Sequence, residues 1–226
     1  MFRKNLLSSA VLAAGLAFGS AQVTAGVIFA PTAAVIDHGG PGFGSIGNTF
    51  DQSGLSITYT NGVTDFDTYL SLNPLHTTFT SSEWFSSFGT TSATVTYDLG
   101  ASVAIDRLAL WNEEHSGIGT LNLRYSLDNI SFSALALNLK PFDNPFTITN
   151  PVSNYPSEVF SFAATTTRYV RFEMSDCPQP NPAGFPGCAI GEVAFRQAAS
   201  GIPEPATLAL FGLGLAGLGF TRRRRT

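Results

Sequence analysis

The densest run of side chains suited to chemistry is Asn112-Glu113-Glu114-His115-Ser116-Gly117. Carboxylates beside an imidazole are the parts of a general acid–base pair or of a metal site. Adjacent glutamates on extended chain point to opposite sides, so only one of Glu113 and Glu114 joins a site with any given partner. The three histidines, His38, His76 and His115, share no metal-ligand spacing. The run therefore reads as a solvated loop or as a loop that contacts a ligand. Asp65 and Asp67, in NGVTDFDTYL, are two apart and so share one face of extended chain. That arrangement suits a hard cation such as calcium, and equally two solvated acids. Trp84, in SSEWFSSFG, comes after polar residues and is a candidate exposed ring for stacking on a sugar, or else a packed one. Trp111 ends an apolar stretch and reads as core.

Other patterns exclude more than they propose. Gly42-Phe43-Gly44-Ser45-Ile46-Gly47 spells GxGxxG, but a dinucleotide fingerprint needs a strand before it, a helix after it and an acid about 20 residues on. The chain beyond Gly47 is polar and β-prone, so the run is a loop. No G-x-S-x-G, H-E-x-x-H or Cys/His nucleophile pattern occurs, and the expectation is a protein without catalytic residues.

The elements that position these residues are strands. Leu55–Tyr59 alternates, as does Ala93–Leu99; Ile105–Trp111 is apolar throughout, as in a central strand. Leu121–Tyr125 alternates, and Ser126–Asn129 reads as a hairpin turn into Ile130–Leu137. Glu158–Phe162, Arg168–Met174 and Ala189–Arg196 are the remaining strand candidates. No window of a dozen residues has helical periodicity with caps. Short strands between turn signals predict an all-β antiparallel sandwich, its core filled from the chain's 19 phenylalanines.

Both ends of the chain are addresses. Arg3 and Lys4, an apolar stretch from Leu6 to Phe18, and small residues at Val23-Thr24-Ala25 make a secretory signal peptide cut after Ala25. The alternative is an uncleaved anchor. At the other end, Ala206–Phe220 is uncharged and is closed by Arg222, Arg223, Arg224 and Arg225. As a helix this stretch spans roughly 22 Å, short of a hydrocarbon core of about 30 Å, so it holds a membrane only marginally. The arginines would remain cytoplasmic. Without both ends, six cations face fifteen acids, a net of −9. Such a domain does not bind nucleic acid through backbone electrostatics and suits neutral sugars or divalent cations. Cys177 and Cys188 bracket ten residues, four of them proline. An oxidising compartment favours a disulfide between them, worth about 2–3 kcal/mol.

Two family resemblances sit on these residues. Pro203-Glu204-Pro205, the apolar LFGLGLAGLG and the terminal arginines resemble the PEP-CTERM sorting signal, over 202–226. The resemblance implies a Gram-negative bacterium that makes exopolysaccharide and cleavage near the triplet by the membrane protease exosortase. The product would be tethered to the inner membrane before processing and released to the cell surface or matrix afterwards. VTYDLG (95–100), AIDRLALWN (104–112), LRYSLDNISF (123–132), TTRYVRFEM (166–174) and IGEVAF (190–195) resemble a discoidin-type domain, a galactose-binding-like jelly roll. That domain is expected over 26–200. The resemblance implies a fold that often binds glycans and often holds a structural calcium, with Glu192 at the position of its late glutamate and Asp65 and Asp67 in the early acidic loop. The function expected is an exported, non-catalytic protein that binds extracellular polysaccharide through Trp84 and Asn112–His115. The alternatives are a structural matrix protein without a ligand, or an accessory hydrolase.

Overall fold

A computed structural model describes residues 26–78, 81–114, 116–142, 154–179 and 185–199. The expected signal peptide, the sorting tail and His115 lie outside the described residues. The strands are β1 (Ile28–Phe29), β2 (Ala33–His38), β3 (Phe43–Gly44), β4 (Leu75–His76), β5 (Trp84–Phe85) and β6 (Ala93–Asn112). They continue with β7 (Thr120–Ser126), β8 (Ser133–Leu139), β9 (Tyr155–Pro156), β10 (Glu158–Ser175) and β11 (Ala189–Gln197). A 3-10 turn covers Ile46–Thr49 and one short helix, α1, covers Phe66–Ser71.

Two long strands, β6 and β10, serve both layers. Thr94–Asp98 of β6 pairs with β2 on one side, and Ala93–Asp98 pairs with Tyr169–Met174 of β10 on the other. Its later part, Ile105–Asn112, pairs with β11 and with the first half of β10. The first layer is thus β2-β6-β10-β7-β8 and the second β3-β5-β11-β6-β10, with β1 on β11. Bends let one strand change sheet. In β6 the bend is Gly100, at φ +79°, where a Cβ would also press on the Thr32 side chain. In β10 the register shifts between Ser161 and Thr165 and again between Thr167 and Tyr169. Asp98-Leu99-Gly100 is therefore a bend within one continuous strand. The result is an antiparallel jelly-roll sandwich.

The alternation read from the sequence is the alternation that fills the core. Val95, Tyr97, Leu99, Leu123, Val170 and Phe172 of the first layer meet Leu108, Leu110, Val193 and Phe195 of the second, all buried. The second layer is also covered on its outer face, where Trp111, Ala109 and Ala194 lie under Tyr59, Phe66, Tyr69 and Tyr155. Trp111 is core, as expected, and its Nε1 donates to the Pro74 carbonyl at 2.9 Å.

Two expectations change. Leu55–Tyr59 is not a strand; among the described residues it makes a single bridge, Leu55 to His76, and the segment wraps over the outer face instead. And Asp65–Leu72 turns helical rather than extended, with Asp65 as N-cap accepting from the Thr68 N–H at 2.7 Å. The β7–β8 hairpin forms, but β8 begins at Ser133 because Asp128 Oδ1 holds the Ile130 and Ser131 N–H groups in the turn.

Candidate functional site

The strands place opposite sets of loops at the two ends of the sandwich. At one end, Ala93 pairs with Met174, and Ile190 pairs with both Asn112 and Trp84. The loops there are 38–43, 86–92, 113–119 and the loop closed by the Cys177–Cys188 disulfide, whose Cα atoms are 5.0 Å apart. That disulfide loop is pinned along its later part. The Ser86 N–H donates to the Cys188 carbonyl, the Cys188 N–H donates to Ser86 Oγ (both 2.8 Å), and Ser116 Oγ donates to the Phe185 carbonyl at 2.6 Å.

Pinned this way, Phe185 becomes the hub of an aromatic cluster. Phe43, Phe85 and Phe88 meet it edge-on, with ring centroids 5.5, 5.5 and 5.6 Å away. Edge-to-face pairs at this spacing contribute about 1 kcal/mol each beyond burial. Phe85 is buried, but Phe43 is 55% and Phe88 72% exposed. Beside Phe43 along the chain, Ile36 to Pro41 line an open cleft of about 530 Å³. Asp37 in this cleft accepts from Thr96 Oγ1 at 2.5 Å and lies 3.6 Å from Arg171 Nε. Ring faces beside fixed polar groups are the parts a sugar site uses. Sequence reasoning missed Phe43, Phe88 and Phe185 because each is isolated among Gly, Ser or Pro; their convergence is tertiary.

The predicted ligand residues lie elsewhere. Trp84 is fully buried in the core and its Nε1 donates to the Pro41 carbonyl at 2.9 Å, so it is no exposed platform. It supports the 38–43 loop from beneath. Nor are Glu113 and Glu114 solvated: both are buried. Glu113 Oε2 accepts from the Ser116 N–H at 2.6 Å, and Glu114 Oε1 accepts from Thr78 Oγ1 at 3.0 Å. Asn112 is buried too, its amide donating to the Phe142 carbonyl at 2.9 Å and to Gln179 Oε1 at 3.1 Å.

Glu113 and Glu114 belong to a buried polar cluster that no spacing announced. Tyr155 Oη donates to Glu83 Oε1, and His76 Nδ1 is 3.1 Å from Tyr155 Oη and 2.9 Å from the Thr77 carbonyl. Burial, then the charge of Glu83 and next that of Glu113, pushes the Tyr155 phenol well above its ordinary range, so it stays a donor. His76 packs so close to Gly54 that a Cβ there would collide with the imidazole ring. The cluster has the geometry of an internal brace, with its groups turned onto one another.

Asp65, Asp67 and Glu192 are not brought together. Asp65 caps α1, Asp67 pairs with Arg107 and Arg196, and Glu192 faces loop 51–59. The helix is the reason: residues two apart share a face on a strand, not on a helix. Glu192 receives the Gln52 N–H at 3.2 Å and the Tyr59 hydroxyl at 3.5 Å. Its carboxyl is raised well above the usual range by burial, with the Asp51 charge adding to it against the Gln52 N–H. Oxygens already facing donors do not suit a hard cation. Among the described residues no group of three or more His, Cys, Asp or Glu is set to hold a metal. The calcium triad expected from the sequence does not fit this structure.

Residues 201–225 match the PEP-CTERM protein-sorting motif. The PEP-CTERM signal marks the chain for export and sorting to the cell surface by exosortase. Among the described residues no helix is long and apolar enough to cross a membrane. The sandwich is similar to several solved modules. One is chitosan-binding module 1 of a chitosanase/glucanase from Paenibacillus sp. IK-5, at 16% identity, covering 74% of this chain and 96% of that one, with a TM-score of 0.45. Another is the CBM32 module of AlyQ in complex with 4,5-unsaturated mannuronic acid, at 18% identity, 74% and 96% coverage and a TM-score of 0.45. A third, from Clostridium perfringens, was solved with GalNAc-β-1,3-galactose, at 13% identity, 50% and 74% coverage and a TM-score of 0.39. At such identities the likeness is one of fold. No curated protein matches the chain.

Proposed function

We propose that this PEP-CTERM protein is a non-catalytic polysaccharide binder of the cell surface or extracellular matrix of a Gram-negative bacterium, and that Phe43 and Phe88 are its contact rings. The signal peptide ending at Ala25 starts export. The tail beyond Pro205 tethers the chain to the inner membrane until exosortase cuts near Pro203-Glu204-Pro205. The observation that carries the binding role is the exposed pair of phenylalanines fixed around Phe185 by a disulfide loop. Rigid, half-exposed rings lose little entropy on stacking against a sugar, and the adjoining cleft offers Asp37 and His38 as hydrogen-bonding groups. The domain's acidity argues against nucleic acid as the ligand.

The test is affinity electrophoresis and calorimetry of the residue 26–199 domain against chitosan, alginate, pectin and neutral glycans, at low and high salt. Retardation by at least one polymer that survives high salt is expected, since ring stacking is not screened. Phe43→Ala with Phe88→Ala weakens it by roughly thirtyfold, the loss of two contacts near 1 kcal/mol each. A single cooperative unfolding transition in the double variant, lowered only by the several degrees that two lost edge-to-face pairs account for, shows the fold is kept. Binding that ignores both substitutions removes this site; no binding to any polymer leaves a structural matrix protein without a ligand.

A further inference from the structure

The opposite end of the sandwich is chemically different. One register row there joins Ala33, Asp98, Tyr169 and Ser126 in the first layer, and a second joins Gln197, Ile105 and Thr165 in the second. Between and beyond these rows lie Pro31–Thr32, the bends of β6 and β10 at 99–104 and 162–167, and 198–199, all uncharged. Gly100, Ala101, Ser102, Ala163, Ala164 and Thr166 are exposed. The hairpin tip past Ser126 adds exposed Leu127 (57%) and Ile130 (83%). The acid at this tip, Asp128, turns its carboxylate onto the Ile130 and Ser131 N–H groups. The nearest other charges are paired, Asp98 with Arg168 and Asp106 with Arg196. In a domain of net charge −9, this end carries Asp128 as its one acid outside the ion pairs just named, so its approach to an anionic layer meets little repulsion.

The chain also leaves for its sorting motif here. β11 ends at Gln197 and the motif begins at residue 201. Four peptide steps reach at most about 14 Å. The aromatic end lies the length of β11 further away, about 30 Å for its nine residues. That is several Debye lengths at physiological salt.

We infer that this sparsely charged end, led by Leu127 and Ile130, is the face the sandwich rests on an anionic lipid surface while the sorting tail is still attached. The inference rests on the proposed membrane tether. It gives the apolar hairpin tip an occupant, and leaves Phe43 and Phe88 pointing outward during processing.

The test uses the full-length precursor carrying Ile130→Trp, reconstituted into vesicles of phosphatidylethanolamine and phosphatidylglycerol with brominated acyl chains. Trp84 and Trp111 are buried, so quenching reports the introduced ring. Loss of emission is expected for Ile130→Trp and none for Thr91→Trp, an exposed position at the aromatic end. Inserting a flexible linker of about 15 Gly and Ser residues after Ala199 relieves the quenching, because a longer tether dilutes the contact. Equal quenching at both positions, or none at residue 130 in vesicle-bound protein, overturns the inference. A precursor that does not associate with vesicles overturns the tether itself, and with it this contact.

Discussion

The two ends of the sandwich are built by opposite means. The aromatic end is held by side chains and a covalent bond: Phe185 sits among three rings because Cys188 and Ser86 lock the strand beside it, and beneath lie Glu83, Glu113, Glu114, His76 and Tyr155, all buried. The exit end leans more on backbone. Its bends are rich in Ala, Ser, Thr and Gly, tied by the Thr32 N–H to the Asp98 carbonyl and the Ala198 N–H to the Ala104 carbonyl, both 2.8 Å, with Thr167 Oγ1 donating to the Ser126 carbonyl at 2.9 Å. Side-chain-built loops fix rings and polar groups for a ligand but depend on each part. Backbone-built turns tolerate substitution and present a bland surface. The proposed binding belongs with the first and the proposed tether with the second.

The sharpest way to break the contrast is to open the disulfide. Cys177→Ser with Cys188→Ser is expected to cost about 3 kcal/mol by the chain-entropy estimate. The damage should be uneven. Amide exchange should rise more in 84–90 and 185–190 than at 99–104 and 162–167, and polysaccharide binding should fall further than in the Phe43→Ala, Phe88→Ala protein. Uniform loss of protection at both ends would show that the disulfide supports the whole fold and not one end of it.

A smaller effect tests the second layer between the two ends. Glu192 has its pKa raised in the folded state, chiefly by burial. Linkage gives the sign: a carboxyl held above its unfolded value near 4.3 adds its stability below that pH and loses it as pH rises through the folded value. Glu192→Gln keeps one acceptor oxygen for the Gln52 N–H, turns an amide N–H toward Tyr59 Oη, which can accept it, and has no proton to lose. Its Tm should therefore exceed the wild type by several degrees near pH 8, with the gap closing toward about pH 4. A constant difference across that range would mean that Glu192 is not the group responsible.

Much of the scaffold was legible because its signals are local. Val95, Tyr97 and Leu99, or Val170, Phe172 and Met174, alternate on the chain and in the core alike. The cysteines were legible because they are only 11 apart in an exported chain. The site was not, and the reasons are physical. Glu113 and Glu114 look solvated since their partners Thr78 and Tyr155 come from about 40 residues away in either direction. Trp84 looks exposed since Ser81, Ser82 and Glu83 precede it, yet β5 lies against β11 and carries the ring inward. Asp65 and Asp67 looked like one face of a strand, and a helix of six residues is too short for periodicity to reveal. The exposed phenylalanines were hidden among 19.

The smallest effect is expected at the exit end, and its smallness is the point. Asp98 is held below the usual carboxylate range mainly by Arg168, which donates through Nε at 2.9 Å and Nη2 at 3.0 Å, while Asp98 Oδ1 also accepts from the Gly100 N–H at 2.7 Å. Its contribution is present above about pH 3.9 and lost as pH falls through the lowered folded value. The pair is partly open to solvent, so Asp98→Asn should cost only about 0.5 kcal/mol, because the amide oxygen still accepts from Gly100. It also leaves the Arg168 charge unbalanced beside the sparsely charged surface. Quenching of the Ile130→Trp ring by anionic vesicles should therefore hold or increase, whereas removing Arg168 with Arg168→Gln leaves Asp98 bare and should reduce it. If both variants quench alike, charge does not govern the approach of this end to lipid, and the apolar pair at the hairpin tip accounts for the contact alone.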